Sequence, residues 1–265
     1  MAGNPTDVPT MGLEPFRSRA CHPRFLHDIL YRDILIFSMT APVSDKLTQF
    51  FSRYKLLSYQ KGEMIFQPED TLPGVLFIKK GIVKLYSISS EGKELTLNIF
   101  KPGSYFSMMW ALGGIPNTYY FQAMTEVEVW RAPKDAVIAF LKQEPEELFE
   151  FTRRIVVGLS GILTRMDYLL SGNARLKISS VLLSLAKRFG EEKDGKGILI
   201  QLSLTHQDVA SLAGLTRETT SLELEKLEKT GMIEYEKHLL KIISLGKLEQ
   251  ALLIEKAEES FPPTL

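Results

Sequence analysis

The sequence predicts an α+β protein in three parts: a small β-sandwich or roll, a long amphipathic helix, and two short helices around a glycine turn. Three observations lead there. Apolar runs of strand length alternate with glycine turns from about Tyr59 to Ala132. An apolar repeat spaced alternately three and four residues runs from Phe149 to Leu170. Two helical stretches, each opened by a capping threonine, meet at Gly214.

Taken in order, residues 1–40 read as a proline-containing extension with one short apolar helix, Phe25 to Phe37. A second helix is expected over Ser44 to Tyr54, where the Ser44 oxygen can accept an orphan backbone N–H of the first turn. The roll is placed at 41–133. Its strands are Met64–Phe66, Gly74–Ile78, Ile82–Tyr86, Leu95–Ile99 and Val127–Trp130, separated by Lys61-Gly62, Lys80-Gly81, Glu91-Gly92 and Pro102-Gly103. Regular β-branched and aromatic runs with such punctuation argue for a small all-β unit. Ser90-Glu91-Gly92-Lys93 suits a hairpin turn in which glycine takes the positive φ.

Residues 134–171 form the connecting segment and long helix. Phe149, Thr152, Val156, Leu159, Leu163, Met166 and Leu170 make the seam of a two-helix coiled coil. Ile155, Ile162 and Leu169 form a second stripe, expected to pack on the roll while the seam meets a second copy. A buried helix within one domain is the competing reading. Residues 172–250 follow as a helix (Ala174 to Phe189), a charged loop, a short strand from Ile198, the two-helix unit, and a hairpin near Ile233 to Ile243. Residues 251–265 are a helical end and tail, the last helix running from Lys247 to Glu259.

The two-helix unit carries the chemistry. Thr205 and Asp208 have capping-box spacing, Val209, Leu212 and Ala213 give an inner face, and Gly214 permits the turn. Thr216 caps a second helix with Thr220, Leu224 and Leu227 inward. This is a helix-turn-helix, whose second helix offers its N-terminal side chains to the major groove. Arg217 and Glu218 are the candidates for base edges, since arginine pairs bidentately with guanine and glutamate accepts from cytosine. Thr205, Thr216 and Thr219 suit phosphate oxygens, and Gln207 joins the set from the first helix. Ser221 and Leu222 share the outward face with Glu218 and Glu225. A helical hairpin without a DNA role stays open, because Ser171 to Gln250 holds 12 basic and 11 acidic residues, a weak footprint for nucleic acid.

Composition removes other classes. The 265 residues are 45% hydrophobic and 24% charged, and 32 basic residues balance 32 acidic ones. A single cysteine, Cys21, excludes a disulfide framework or a cysteine-held cluster. His22, His27, His206 and His238 are too scattered for a metal site. No paired carboxylates, activated nucleophile or phosphate-cradling glycine loop is placed for catalysis, and Glu69-Asp70 reads as a solvated turn. No apolar run is long enough to span a bilayer, and the first residues lack secretory character. A soluble cytoplasmic protein without cofactor, and not an enzyme, is expected.

Arg217-Glu218-Thr219 after the glycine turn, the following Leu224-Glu225-Lys226-Leu227-Glu228 and the closing Gly231-Met232-Ile233 resemble the winged helix-turn-helix of the Crp/Fnr family of transcription regulators. Phe77 to Leu85, Glu91-Gly92-Lys93-Glu94 and Pro102-Gly103 resemble the family's cyclic-nucleotide-binding-like jelly roll, and the heptad helix its dimerisation helix. The resemblance implies a homodimer on palindromic double-stranded DNA, with RNA polymerase as a further partner. Two departures matter. Where cyclic-nucleotide-binding members carry Gly-Glu for the ribose and Arg-Ser for the phosphate, this chain has Ser107-Met108 and Asn117-Thr118, so a cyclic nucleotide is not expected. The cysteines of the iron–sulfur branch and the roll histidine of the haem branch are also missing. Phe106, Met108, Met109, Trp110, Tyr119 and Tyr120 fill that place, either as a pocket for an apolar or aromatic effector or as a collapsed core. Second, many members have an arginine where this chain has Leu222, which cannot donate to guanine but can meet a thymine methyl. A different half-site is expected.

Overall fold

A computed structural model describes residues 44–192, 195 and 197–250. The expected helix over Phe25–Phe37, Cys21, and most of the last helix lie outside the described residues; 245–250 are helical. The fold is α+β, with an antiparallel roll, a long helix and a winged helix-turn-helix. The roll begins with helix α1 (Asp45–Ser52), capped as expected by the Ser44 side chain accepting from Leu47 N–H. Its strands are β1 (Lys55–Tyr59), β2 (Met64–Phe66), β3 (Val75–Lys80), β4 (Val83–Ile88), β5 (Glu94–Phe100), β6 (Tyr105–Phe106), β7 (Tyr120–Ala123) and β8 (Val127–Ala132), with the short helix α2 (Met108–Gly113) between β6 and β7.

They form two four-stranded sheets, ordered β1-β8-β3-β6 and β2-β7-β4-β5. Between them lie Phe66, Ile78, Val83, Phe106, Phe121, Val127 and Val129. The unbroken apolar run of β3 has a simple cause. Leu76 and Ile78 face the second sheet, whereas Val75 and Phe77 face α1 and helix α3 (Lys134–Gln143), where Phe51, Val137 and Leu141 cover them. The Lys80-Gly81 turn requires glycine twice over: φ is +90°, and a Cβ would stand 2.1 Å from the Glu126 carbonyl oxygen. The Glu91-Gly92 turn forms as expected, with Gly92 at φ +77° and Ser89 N–H donating to Lys93 O.

Helix α4 (Pro145–Ser171) opens with proline in its first turn, where no N–H partner is lost. Helix α5 (Ala174–Phe189), capped by Asn173, then starts the C-terminal part. Strands β9 (Gly190–Glu192) and β10 (Ile198–Ile200) join the wing hairpin β11 (Ile233–Glu236) and β12 (Leu239–Ile242) in the sheet order β11-β12-β10-β9. Helices α6 (His206–Ala213) and α7 (Arg217–Lys229) pack on α5 around Leu176, Ile178, Leu182, Val209, Leu224 and Leu227. Among the described residues no helix is long and apolar enough to cross a membrane.

One expectation about α4 is corrected. Ile155 and Ile162 do not pack on the roll: they are 51% and 56% exposed. Phe151 and Tyr168 are the buried residues of that helix, and Phe151 lies against Tyr105 of the roll with ring centroids 5.6 Å apart. At 100° per residue Ile155 and Ile162 therefore flank the seam and merge with it into one wide outward apolar arc, whereas Leu169 is half-buried beside Gly214. Phe149, Val156, Leu159, Leu163, Met166 and Leu170 are all exposed on that arc, Phe149 at 69% and Leu170 at 84%. Thr152 is exposed too, its hydroxyl donating to Leu148 O.

Candidate nucleic-acid interface

The start of α6 is a complete capping box. Thr205 Oγ1 accepts from Asp208 N–H at 3.1 Å, and Asp208 Oδ2 accepts from Thr205 N–H at 2.8 Å. The Thr205 hydroxyl also donates to Asp208 Oδ2 at 2.6 Å. Gly214 ends α6 at φ +63°, the left-handed conformation that lets the chain reverse within a few residues. Thr216 then caps α7, accepting from Thr219 N–H at 3.2 Å, and the two threonine hydroxyls lie 3.0 Å apart. Local side-chain chemistry thus sets both helix starts and the turn between them.

Helix α7 turns Thr220, Leu224 and Leu227 into the core. On its other side Arg217, Glu218, Leu222 and Glu225 are exposed, Leu222 at 59%. Arg217 has no hydrogen bond or ion pair with any described residue. Three other cations of the winged unit are paired: Lys226 with Glu223 at 2.6 Å, Lys229 with Glu225 at 2.6 Å, and Lys241 with Glu234 at 2.6 Å. The Lys229 ammonium, by hydrogen bond and charge, holds the Glu225 carboxyl below its ordinary range. The near-neutral charge balance therefore hides a free guanidinium at the positive end of α7. Gln207 is exposed on the first turn of α6.

Ser221 is not free. His206, the first residue of α6, places Nδ1 2.8 Å from Ser221 Oγ and Nε2 3.4 Å from the Tyr235 hydroxyl on β11. Burial, followed by the Glu228 charge, pushes the Tyr235 hydroxyl above its ordinary range. His206 thus ties positioning helix, recognition helix and wing together. Sequence reasoning weighed it only as a metal ligand; its place beside a capping threonine was the available signal. The wing turn is Lys237-His238, both exposed and both at positive φ (50° and 66°), where glycine or asparagine is usual.

Of the six residues expected around an effector, Phe106, Trp110 and Tyr119 join the core between the sheets, and Met108 joins Trp110 in the core under α1 and α3. Phe106 is buried, stacked on Phe121 at 4.9 Å and Phe100 at 5.7 Å. Tyr120 stacks on Tyr86 at 5.0 Å, and Trp110 lies under the Lys134 ammonium, 5.2 Å from its ring centre. Met108 packs towards α1 and α3, Tyr119 towards the inter-sheet core, and Met109 is 56% exposed. Asn117 is buried with its amide spent on Gln67 O at 2.7 Å and Tyr119 O at 2.8 Å. Ser107 sits at φ +73° with a buried hydroxyl that finds no partner among the described residues. A small cavity lies elsewhere, between Ser44, Leu47, Tyr105, Leu141, Phe151 and Arg154. Among the described residues no group of three or more His, Cys, Asp or Glu side chains is placed to hold a metal ion.

A β-roll joined by a long helix to a winged helix-turn-helix with an open α7 face defines a DNA-binding regulator. Two family descriptions match the chain: a cyclic nucleotide-binding domain over residues 56–144 and a Crp-like helix-turn-helix domain over residues 177–251. The global nitrogen regulator of Nostoc sp. is 30% identical over 186 residues, covering 68% of this chain and 81% of that protein. The transcriptional regulator SdrP of Thermus thermophilus is 26% identical over 199 residues, covering 73% and 92%. A solved CooA variant from Carboxydothermus hydrogenoformans shares the fold, with a TM-score of 0.69 and 22% identity over 82% of this chain and 99% of that one. The chain belongs to the Crp/Fnr family and is a DNA-binding transcription regulator.

Proposed function

We propose that the protein acts in the cytoplasm as a homodimer on two-fold symmetric DNA, without enzymatic activity, and that RNA polymerase is its further partner. The observation that carries this reading is the pairing of two open surfaces. Helix α7 leaves Arg217 unpaired beside Glu218 and Leu222, and α4 leaves its whole apolar arc uncovered. An apolar face of this extent on a helix is the mark of an association surface. Two α7 helices related by the dimer axis then enter successive major grooves about one helical turn apart.

Arg217 and Glu218 read base edges, while Ser221, held by His206, and Leu222 shape the groove contact. Thr205, Gln207, Thr216 and Thr219 position the domain on phosphates. The threonine caps leave their oxygens at the helix starts, where backbone N–H groups also point outward. Leu222 removes a guanine donor, so the half-site departs from that of members with arginine there.

The effector, in this reading, is an apolar or aromatic small molecule. No charged residue lies between Tyr105 and Tyr120, so a cyclic phosphate taken from water meets no counter-charge in this stretch. The aromatic stacking of Phe106 and Tyr120 favours a second reading, regulation by abundance with no effector. Equilibrium sedimentation with and without Leu163→Glu tests the pair of surfaces. The wild type is expected to sediment as a dimer that binds a palindromic duplex tightly, the variant as a monomer limited to half-site affinity. A wild-type monomer with full palindrome affinity contradicts the reading.

A further inference from the structure

The junction between the roll and the helix-turn-helix is built on one strand edge. Strand β5 is the last in the order β2-β7-β4-β5, so its outer edge has no strand partner among the described residues. Its pairing with β4 skips Leu97: Leu85 pairs with Asn98 and Tyr86 with Thr96. The bulge turns two successive carbonyls to the same side, a device that re-aims backbone at special positions. The Arg165 guanidinium, from α4, takes both. Nη1 donates to Leu97 O at 3.0 Å and Nη2 to Thr96 O at 2.5 Å. The same Nη2 donates to Leu212 O at 2.5 Å, a carbonyl of the last turn of α6 with no helical partner of its own.

The neighbouring contacts converge on the same place. Thr96 Oγ1 and Ser211 Oγ lie 2.9 Å apart and buried, one residue from Leu212. Gly214, itself exposed, lies beside Leu169 of α4 and Leu95 of β5, and a Cβ there would stand 3.3 and 3.7 Å from their side chains. Arg188, from the end of α5, donates to Ile99 O, further along β5. Neither arginine has a carboxylate partner among the described residues, and the Nε of each is buried and unbonded. Burial, then the facing Arg165 charge, brings the Arg188 guanidinium down to about 10. Two like charges thus meet beside the β5 carbonyls without a carboxylate among the described residues, and the Arg188 guanidinium also lies 5.4 Å from the Phe189 ring centre. The arrangement is costly as electrostatics and specific as geometry: the fork of an arginine fits paired carbonyls, and an ammonium does not.

We infer that Arg165 is a positioning residue that sets the half-site spacing of the operator. It stands on α4, the helix assigned above to the dimer contact, and grips α6, on which the recognition helix α7 packs. The direction of α7 relative to the dimer axis is therefore fixed at this fork. The inference rests on the dimeric reading above. It predicts that losing the fork leaves each α7 able to read its own half-site but frees the distance between the two.

The test uses the full chain and a set of duplexes: one half-site alone, and two half-sites with zero, one or two base pairs inserted or deleted between them. Because linked sites add affinity only when geometry allows both to engage, the wild type is expected to lose about 100-fold at wrong spacings. Arg165→Met is expected to keep single half-site affinity within about twofold while its spacing penalty falls below about fivefold. Arg165→Lys, with the charge but not the fork, follows Arg165→Met. Thr96→Val with Ser211→Ala, which leaves every arginine in place, moves the penalty in the same direction by less. A spacing penalty unchanged in Arg165→Met overturns the inference, and so does an equal loss on every duplex, single half-site included, the signature of a merely destabilised protein. A wild type indifferent to spacing overturns the dimeric reading itself, and this inference with it.

Discussion

The β6–α2–β7 stretch of the roll and the α6–α7 stretch of the winged unit use their side chains in opposite ways. In the roll, aromatic residues pack on one another: Phe106 stacks across the sheets on Phe121 and Phe100, and Tyr120 stacks on its neighbour Tyr86 within one sheet. In the winged unit, polar residues satisfy their own backbone through the Thr205–Asp208 box and the Thr216 cap, and the remaining polar face stays outward. One stretch is occupied with holding the fold, and the other is free to meet a partner. Stability and DNA reading should therefore separate cleanly between them.

Phe106→Ala gives the largest expected effect. Deleting a fully packed ring costs about 3–5 kcal/mol, read as a lowered denaturation midpoint for the roll. A loss below about 1 kcal/mol would mean that the site is not packed, and would favour it as the wall of an effector pocket. Arg217→Ala comes next. It should cost about 1–3 kcal/mol of operator binding and relax base preference under the residue, with the unfolding midpoint unmoved. Titration of matched and mismatched duplexes checks both halves of that statement. Thr216→Ala should cost about 1 kcal/mol of domain stability by exposing orphan N–H groups of α7, seen by hydrogen exchange at the helix start. Met109→Ser is the smallest, within about 0.5 kcal/mol in stability because the side chain already faces water. A large change in DNA binding from that substitution would place an effector contact on α2.

The same contrast explains what was legible in the sequence. The capping residues, Gly214 and the inner stripe of α7 act within a few residues of one another, so spacing alone located them. The turns at Gly81 and Gly92 were legible for the same reason. Strand β1 was missed because Lys55 to Tyr59 is mostly exposed and its partner, β8, lies far along the chain. Strand β6 has only two residues, Tyr105 and Phe106, and owes its existence to pairing with β3. The apolar stripe of α4 was legible from heptad spacing, but the outward direction of Ile155 and Ile162 was not, since periodicity shows a stripe and not what covers it. Arg165 left no sequence signal at all. Its partners are backbone carbonyls 47 to 69 residues away, and carbonyls carry no side-chain signature.

Whether α7 reads DNA as one of a symmetric pair is decided by selection from a randomised duplex pool with the full-length protein, run beside Arg217→Ala. The expected result is enrichment of a two-fold symmetric site, with no guanine required under Leu222 and with base preference lost under residue 217 in the variant. A pool that stays random, or a symmetric site selected identically by the variant, would contradict it.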